Sequence, residues 1–258
     1  MRTSLIDYHL HSQFSADSKA DPVQIIEAAL EKGYSEIAFT DHDDQNPVDV
    51  QAYGELAQDA YRKRITELKT AYEGRIKILC GFEAGEMHRF PFRGGETDLL
   101  IGSIHRTSDD VNLSSLPEMP FSTRMIHDYY EENLALAETG RFHILGHLGI
   151  YMRYEKEVPD ITPWKPVIEK IFQAIIRQEI ALEINFSGVR KPLGTVIPVP
   201  QILRLYRECG GKLLTFGSDA HVTRDIGVGH IQAFDIARAC GFTRFHSIDK
   251  GVWQEHSL

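Results

Sequence analysis

Short apolar runs alternate with longer amphipathic stretches along this 258-residue chain, and that alternation is the pattern of a βα repeat. The apolar runs predict strands at 5–10, 36–40, 77–82, 98–104, 143–146, 181–185 and 212–217. Between them the spacing predicts helices at 22–32, 49–72, 122–139, 162–177, 200–209 and 231–240, with Asp21 as the first N-cap and Gly33, Gly140 and Gly210 at C-terminal caps. Segments 87–95 and 107–120 are turn-rich and read as loops. Parallel strands joined by right-handed helical crossovers either close into a barrel or fan into a doubly wound sheet. No GxGxxG follows the first strand and GxxxxGK[ST] occurs nowhere, so a nucleotide-cofactor site has no support. A barrel takes about 250 residues, which predicts one domain over 1–258.

Charge narrows the partners. The chain carries 28 Lys and Arg against 37 Asp and Glu, a net of -9, with no basic stripe able to neutralise phosphates in a row. Nucleic acid is not an expected partner. Charges break every apolar stretch short of the roughly 18 residues that a membrane span needs, and residues 1–10 have no secretory pattern, so a cytoplasmic protein is expected. Cys80, Cys209 and Cys240 are odd in number and widely spaced, which suits a reducing compartment and apolar packing.

The chemistry lies at the strand ends. The first strand ends His9-Leu10-His11, and side-chain alternation puts both imidazoles on one face. The second ends Thr40-Asp41-His42, the third runs into Glu83, the fourth into His105, the fifth into His147, and the seventh into Ser218-Asp219-Ala220-His221. In a barrel all these ends open on one face, where active sites of that architecture lie. Taken singly, each piece reads as an ordinary turn, cap or surface residue. Jointly they put acid or imidazole at nearly every strand tip, and clustered carboxylates need cations to offset their repulsion.

In order and spacing, DYHLHSQFSAD, FTDHDD, GFEAGE, GSIH, ILGHLG and FGSDAH closely resemble the motifs of the PHP (polymerase and histidinol phosphatase) superfamily over nearly the whole chain. EENLALAETGRFHILGHLG and LEINFSGVRKPLGTVIPVPQIL are most similar to the histidinol-phosphate phosphatase branch. The resemblance implies a distorted (β/α)7 barrel with three divalent ions on its C-terminal face. It places His9, His11 and Asp219 on the first ion and makes Glu83 the bridge to a second, held by His105 and His147. Asp17, His42 and His221 would hold the third. A donor set of N and O without thiolate suits Zn, Fe or Mn.

The implied activity is hydrolysis of a phosphomonoester, L-histidinol phosphate to L-histidinol and phosphate. A dianionic ester repels hydroxide, and its uncatalysed hydrolysis is among the slowest reactions known. Paired metal ions answer this by acidifying a shared water and clamping phosphoryl oxygens, so a metal-bridging hydroxide beside the catalytic Glu83 and Asp219 is the expected nucleophile. Arg190, just past the sixth strand, is the first candidate for phosphate contact, because Arg offers a bidentate fork. Lys191, Arg106 and Arg153 follow it. The remaining histidines, 88, 127, 143, 230, 246 and 256, match no ligand motif and are expected to pack or face solvent, as are Tyr129 and Tyr130.

Three other readings compete. One is a PHP-type phosphoesterase for another small ester or nucleotide, separable by a substrate panel. A second is an amidohydrolase barrel, which also opens with HxH but carries fewer ions. The third is a metal-binding barrel without turnover. Two features depart from the branch: Gly149 stands where its members commonly carry Asp, and the loop containing HRFPFRGG is unlike theirs.

Overall fold

The computed structural model describes residues 5–117 and 119–258. Seven parallel strands, β1 (Leu5–Leu10), β2 (Tyr34–Phe39), β3 (Lys77–Gly85), β4 (Leu99–Ser103), β5 (Ile144–Leu145), β6 (Ala181–Asn185) and β7 (Leu214–Gly217), pair in sequence order. The barrel is nearly closed. Between β1 and β7 the backbone links are His11 N–H to Ala220 O (3.0 Å) and Asp219 N–H to His9 O (2.8 Å), and the Asp7 carboxylate accepts from Ser218 N (2.8 Å).

Helices α1 (Pro22–Glu31), α2 (Pro47–Tyr53), α3 (Gln58–Ala71), α4 (Thr123–Thr139), α5 (Lys165–Arg177), α6 (Pro200–Glu208) and α7 (His230–Ala239) flank the sheet. Their apolar faces make the outer core, with Ile25, Ile65, Ile171, Phe172, Ile202 and Phe234 all buried. Asp21 caps α1 as expected, accepting from Val23 N at 2.8 Å. No helix among the described residues is long and apolar enough to cross a membrane.

Three elements differ from the sequence expectation. The helix over 49–72 is two helices, because Gly54 at φ 80° turns the chain into the left-handed region and stops α2. That first helix starts two residues earlier than expected, capped by Asn46, which leaves Asp49 inside it and buried. Third, the chain ends in an unforeseen antiparallel hairpin, β8 (Arg244–Asp249) and β9 (Val252–Ser257). Its turn has positive φ at both Lys250 (48°) and Gly251 (78°), the two-residue geometry that matches strand twist. Lys77 Nζ donates to Ile248 O (2.9 Å) and Leu214 N to His246 Nδ1 (3.4 Å), so the hairpin lies against the starts of β3 and β7, opposite the mouth.

Candidate metal centre

Every strand that carries a predicted ligand delivers it to the same mouth. His9 and His11, both fully buried, stand with ring centroids 5.1 Å apart at the end of β1. Glu83 is inside β3, which runs three residues further than expected, and its carboxylate is the hub. One oxygen lies 3.1 Å from His9 Nε2, 3.4 Å from His11 Nε2 and 3.3 Å from His42 Nδ1; the other lies 3.2 Å from His105 Nε2 and 2.8 Å from His147 Nε2. Asp219, held at φ 53° after β7, reaches His11 Nε2 at 3.6 Å. Asp17 meets His221 at 3.0 Å and His42 at 3.7 Å across the loop from β1.

Donor atoms of His9, His11 and Asp219 fall within 4.8 Å of one another, as do those of His9, Glu83 and His147, of His11, His42 and His221, and of His42, Asp44 and His105. Eight of the nine sequence-predicted ligands fall in these groups, and Asp17 stands beside the third through His221. The side chains fit divalent cations. Nε2 of His9 and of His11 is buried without a hydrogen-bond partner, although each faces a carboxylate, and every donor is N or O.

Electrostatics here is a contest of burial against opposite charge. Burial disfavours protonated His9, but the Glu183 and Glu83 carboxylates outweigh it and hold its pKa well above the ordinary value. His105 is raised to about 9 against the same burial, chiefly by Glu83. His11 goes the other way, pushed well down by burial and then by His221 and His42. Burial likewise opposes an ionised Glu83, yet His9, His105 and His42 keep it well below the usual carboxylate range. Cations bound here would displace these protons, so uptake should release acid.

A cleft of about 360 Å³ opens over the centre. Its inner end is lined by Asp17, His42, Glu83, His105, His147 and Asp219, its outer end by Phe14, Tyr53, Leu56 and Leu116. Among the described residues, Arg153 is the only Arg or Lys in that lining. Its Nη1 lies 3.5 Å from Asp219 Oδ2, and its Nη2 donates to Ser114 O. Arg190 approaches Asp219 from behind, with Nη2 donating to Ser218 O (2.8 Å) and Asp219 O (3.2 Å) and Nη1 left without a partner. Lys191 is exposed, its Nζ 5.6 Å from the Tyr154 ring at the rim. Arg106 does not fit its expected role: its Nε and Nη2 bond Asp49 at 2.6–3.0 Å and Nη1 donates to Asp110 O, so the whole fork is engaged by the fold and Asp49, not Arg106, lines the cleft.

A family model described as PHP domain matches residues 7–187. The chain belongs to the PHP domain family. A Thermotoga maritima protein named "Probable histidinol-phosphatase" is 32% identical over 87% of this chain and 88% of its own length. The histidinol-phosphatase of Lactococcus lactis is 26% identical over 92% of this chain and 91% of its own. In fold, this PHP chain is similar to the crystal structure of the histidinol phosphate phosphatase from Lactococcus lactis complexed with Zn, L-histidinol and phosphate. That likeness has a TM-score of 0.78 at 24% identity, covering 96% of this chain and 98% of that one.

Sequence reasoning missed two acids of this PHP mouth. Asp44 lies 3.3 Å from His42 Nδ1, and its signal was its i+2 spacing from His42 in FTDHDD. Glu183 accepts from His9 Nδ1 and from His147 N, each at 2.7 Å; its signal was a lone charge inside the apolar strand ALEIN. Asp41 of the TDH motif has a different task, accepting from the backbone N and hydroxyl of both Ser12 and Ser15 and so shaping the loop that carries Asp17. The other histidines stay out of the centre: His88 pairs with Glu132, His143 accepts from Leu100 N, and His230 stacks on Phe234.

Proposed function

We propose that this chain hydrolyses L-histidinol phosphate to L-histidinol and phosphate, as a cytoplasmic step of histidine biosynthesis. His9, His11, Asp17, His42, Glu83, His105, His147, Asp219 and His221 would hold three divalent ions, and Asp44 is placed to assist His42. The observation that carries the reading is the Glu83 carboxylate within 3.4 Å of five imidazoles from four strand ends, in a chain 32% identical to a protein named as a histidinol-phosphatase. Zn, L-histidinol and phosphate together in the Lactococcus lactis structure agree with the metal and substrate classes proposed.

Bound ions of this kind acidify water and neutralise phosphoryl oxygens. The chain's own groups do the rest. Arg153, lining the cleft beside Asp219, contacts the phosphoryl oxygens, and Arg190 holds the Ser218 and Asp219 carbonyls from behind, which steadies Asp219. Glu83 and Asp219 fix the nitrogen donors around the reacting water. The P–O ester bond breaks, water's oxygen stays on phosphorus with one of its protons, and its other proton ends on the leaving alcohol oxygen. Tyr53, Leu116 and Phe14 at the outer end suit a flat organic group. The test is phosphate release from L-histidinol phosphate beside a panel of phosphomonoesters, nucleotides and diesters. The expected result is the highest kcat/KM for L-histidinol phosphate; equal or higher values for a nucleotide or diester would overturn the assignment.

A further inference from the structure

Behind the proposed ligands, one buried carboxylate spans two of them. Glu183 extends from β6 and uses its oxygens separately: Oε1 is 2.7 Å from His9 Nδ1, and Oε2 accepts the His147 backbone N–H at 2.7 Å and Asn185 Nδ2 at 3.2 Å. A carboxylate oxygen accepts here, so His9 Nδ1 donates to Glu183 and Nε2 is the atom turned to Glu83 at 3.1 Å and Asp219 at 4.0 Å. The other arm fixes the backbone from which the His147 ring turns to Glu83. His9 lies on β1 and His147 two residues past β5, so one side chain from β6 sets the relative position of both.

The neighbouring strand leaves room for this carboxylate only because residue 217 is glycine. A Cβ there would lie 2.1 Å from Glu183 Oε1 and 2.5 Å from His9 Cβ, closer than real contacts allow. The requirement at residue 217 is thus a close approach.

We infer that Glu183, seated against Gly217, is the positioning residue that fixes the His9 tautomer and couples His9 to His147, so that the centre is preset for cations. The inference rests on the metal-centre reading above. Histidine ligands held through their second nitrogen by a carboxylate lose metal when that partner is removed.

Glu183→Gln is the sharper variant, since its amide has one acceptor and cannot serve both arms. If the amide oxygen faces His147 N–H, its NH2 faces Nδ1 and favours the tautomer that blocks Nε2. Gly217→Ala attacks the same contact from the other side. Competition with a chromogenic chelator should show Zn held about 10- to 100-fold more weakly by both variants. In the Zn-loaded proteins, imidazole 15N shifts should show His9 with its proton on Nδ1 in the wild type and loss or mixing of that tautomer in Glu183→Gln. Circular dichroism of the metal-free variants should remain that of the wild type. Wild-type Zn affinity in Glu183→Gln, an unchanged His9 tautomer, or weakened affinity only in a variant that has lost its metal-free fold would overturn the inference. Affinity and tautomer are read without substrate, so failure of the histidinol phosphate assignment leaves them interpretable.

Discussion

At the mouth of the barrel six imidazoles crowd around carboxylates, whereas behind β7 a single buried imidazole, His230, lies among rings. His230 stacks on Phe234 with centroids 4.6 Å apart, packs near Phe216 and Phe186, and has Nδ1 2.5 Å from the Tyr34 hydroxyl. Among the described residues no acid pairs with it, and burial pushes its pKa down to about 4. His9 is equally dry, yet two carboxylates drive its pKa upward. Burial therefore does not distinguish a ligand from a core histidine. The distinction lies in whether the ring nitrogens face acids that themselves need a cation.

Removing the hub should break the mouth and spare the aromatic core. Glu83→Ala is expected to lose bound metal and lower kcat/KM by about 10³-fold, because the ions that neutralise the phosphoryl oxygens go with it. Elemental analysis beside kinetics checks it, and retention of full metal would contradict the hub role.

Arg106 tests the edge of the comparison, because it follows a predicted ligand in sequence but belongs to the fold. Arg106→Ala leaves Asp49 buried and unpaired and should cost about 3 kcal/mol of stability while metal stoichiometry holds. Urea unfolding with metal analysis separates the two. Unchanged stability with a raised KM would return Arg106 to substrate binding.

The smallest effect is at His230. The folded chain keeps it neutral to about pH 4, whereas unfolded histidine takes up a proton below 6.5. Its stability contribution is whole above pH 6.5 and is lost as pH falls through about 4. His230→Phe should be less stable at pH 7 by about 1–2 kcal/mol, since Tyr34 loses its partner. That deficit should narrow between pH 6.5 and 4 in the metal-free protein. A constant deficit would mean that His230 does not titrate as described.

What the sequence made legible was whatever depends on period and position. Alternation put His9 and His11 on one face, strand ends gathered His105, His147 and Asp219, and the resemblance supplied Asp17. The hairpin was obscured because β8 and β9 are largely polar, with only Lys250-Gly251 to mark the turn. Arg106 was misjudged because its partner, Asp49, lies 57 residues upstream, beyond any local pattern. Arg190 and Arg153 exchanged prominence for a similar reason: loop position says little about which way a guanidinium turns. Glu183 was hidden by its strand, since a charge among apolar residues declares itself only when its neighbours across the barrel are known.

The central claim, that these side chains form a cation-dependent hydrolytic centre, is tested most directly by one titration. Purified protein is stripped with a chelator, its residual metal measured, and phosphate release from L-histidinol phosphate followed as Zn, Mn or Fe is returned. The account predicts that turnover vanishes on stripping and returns as about three ions per chain rebind. Full turnover from protein shown to hold no metal would contradict it.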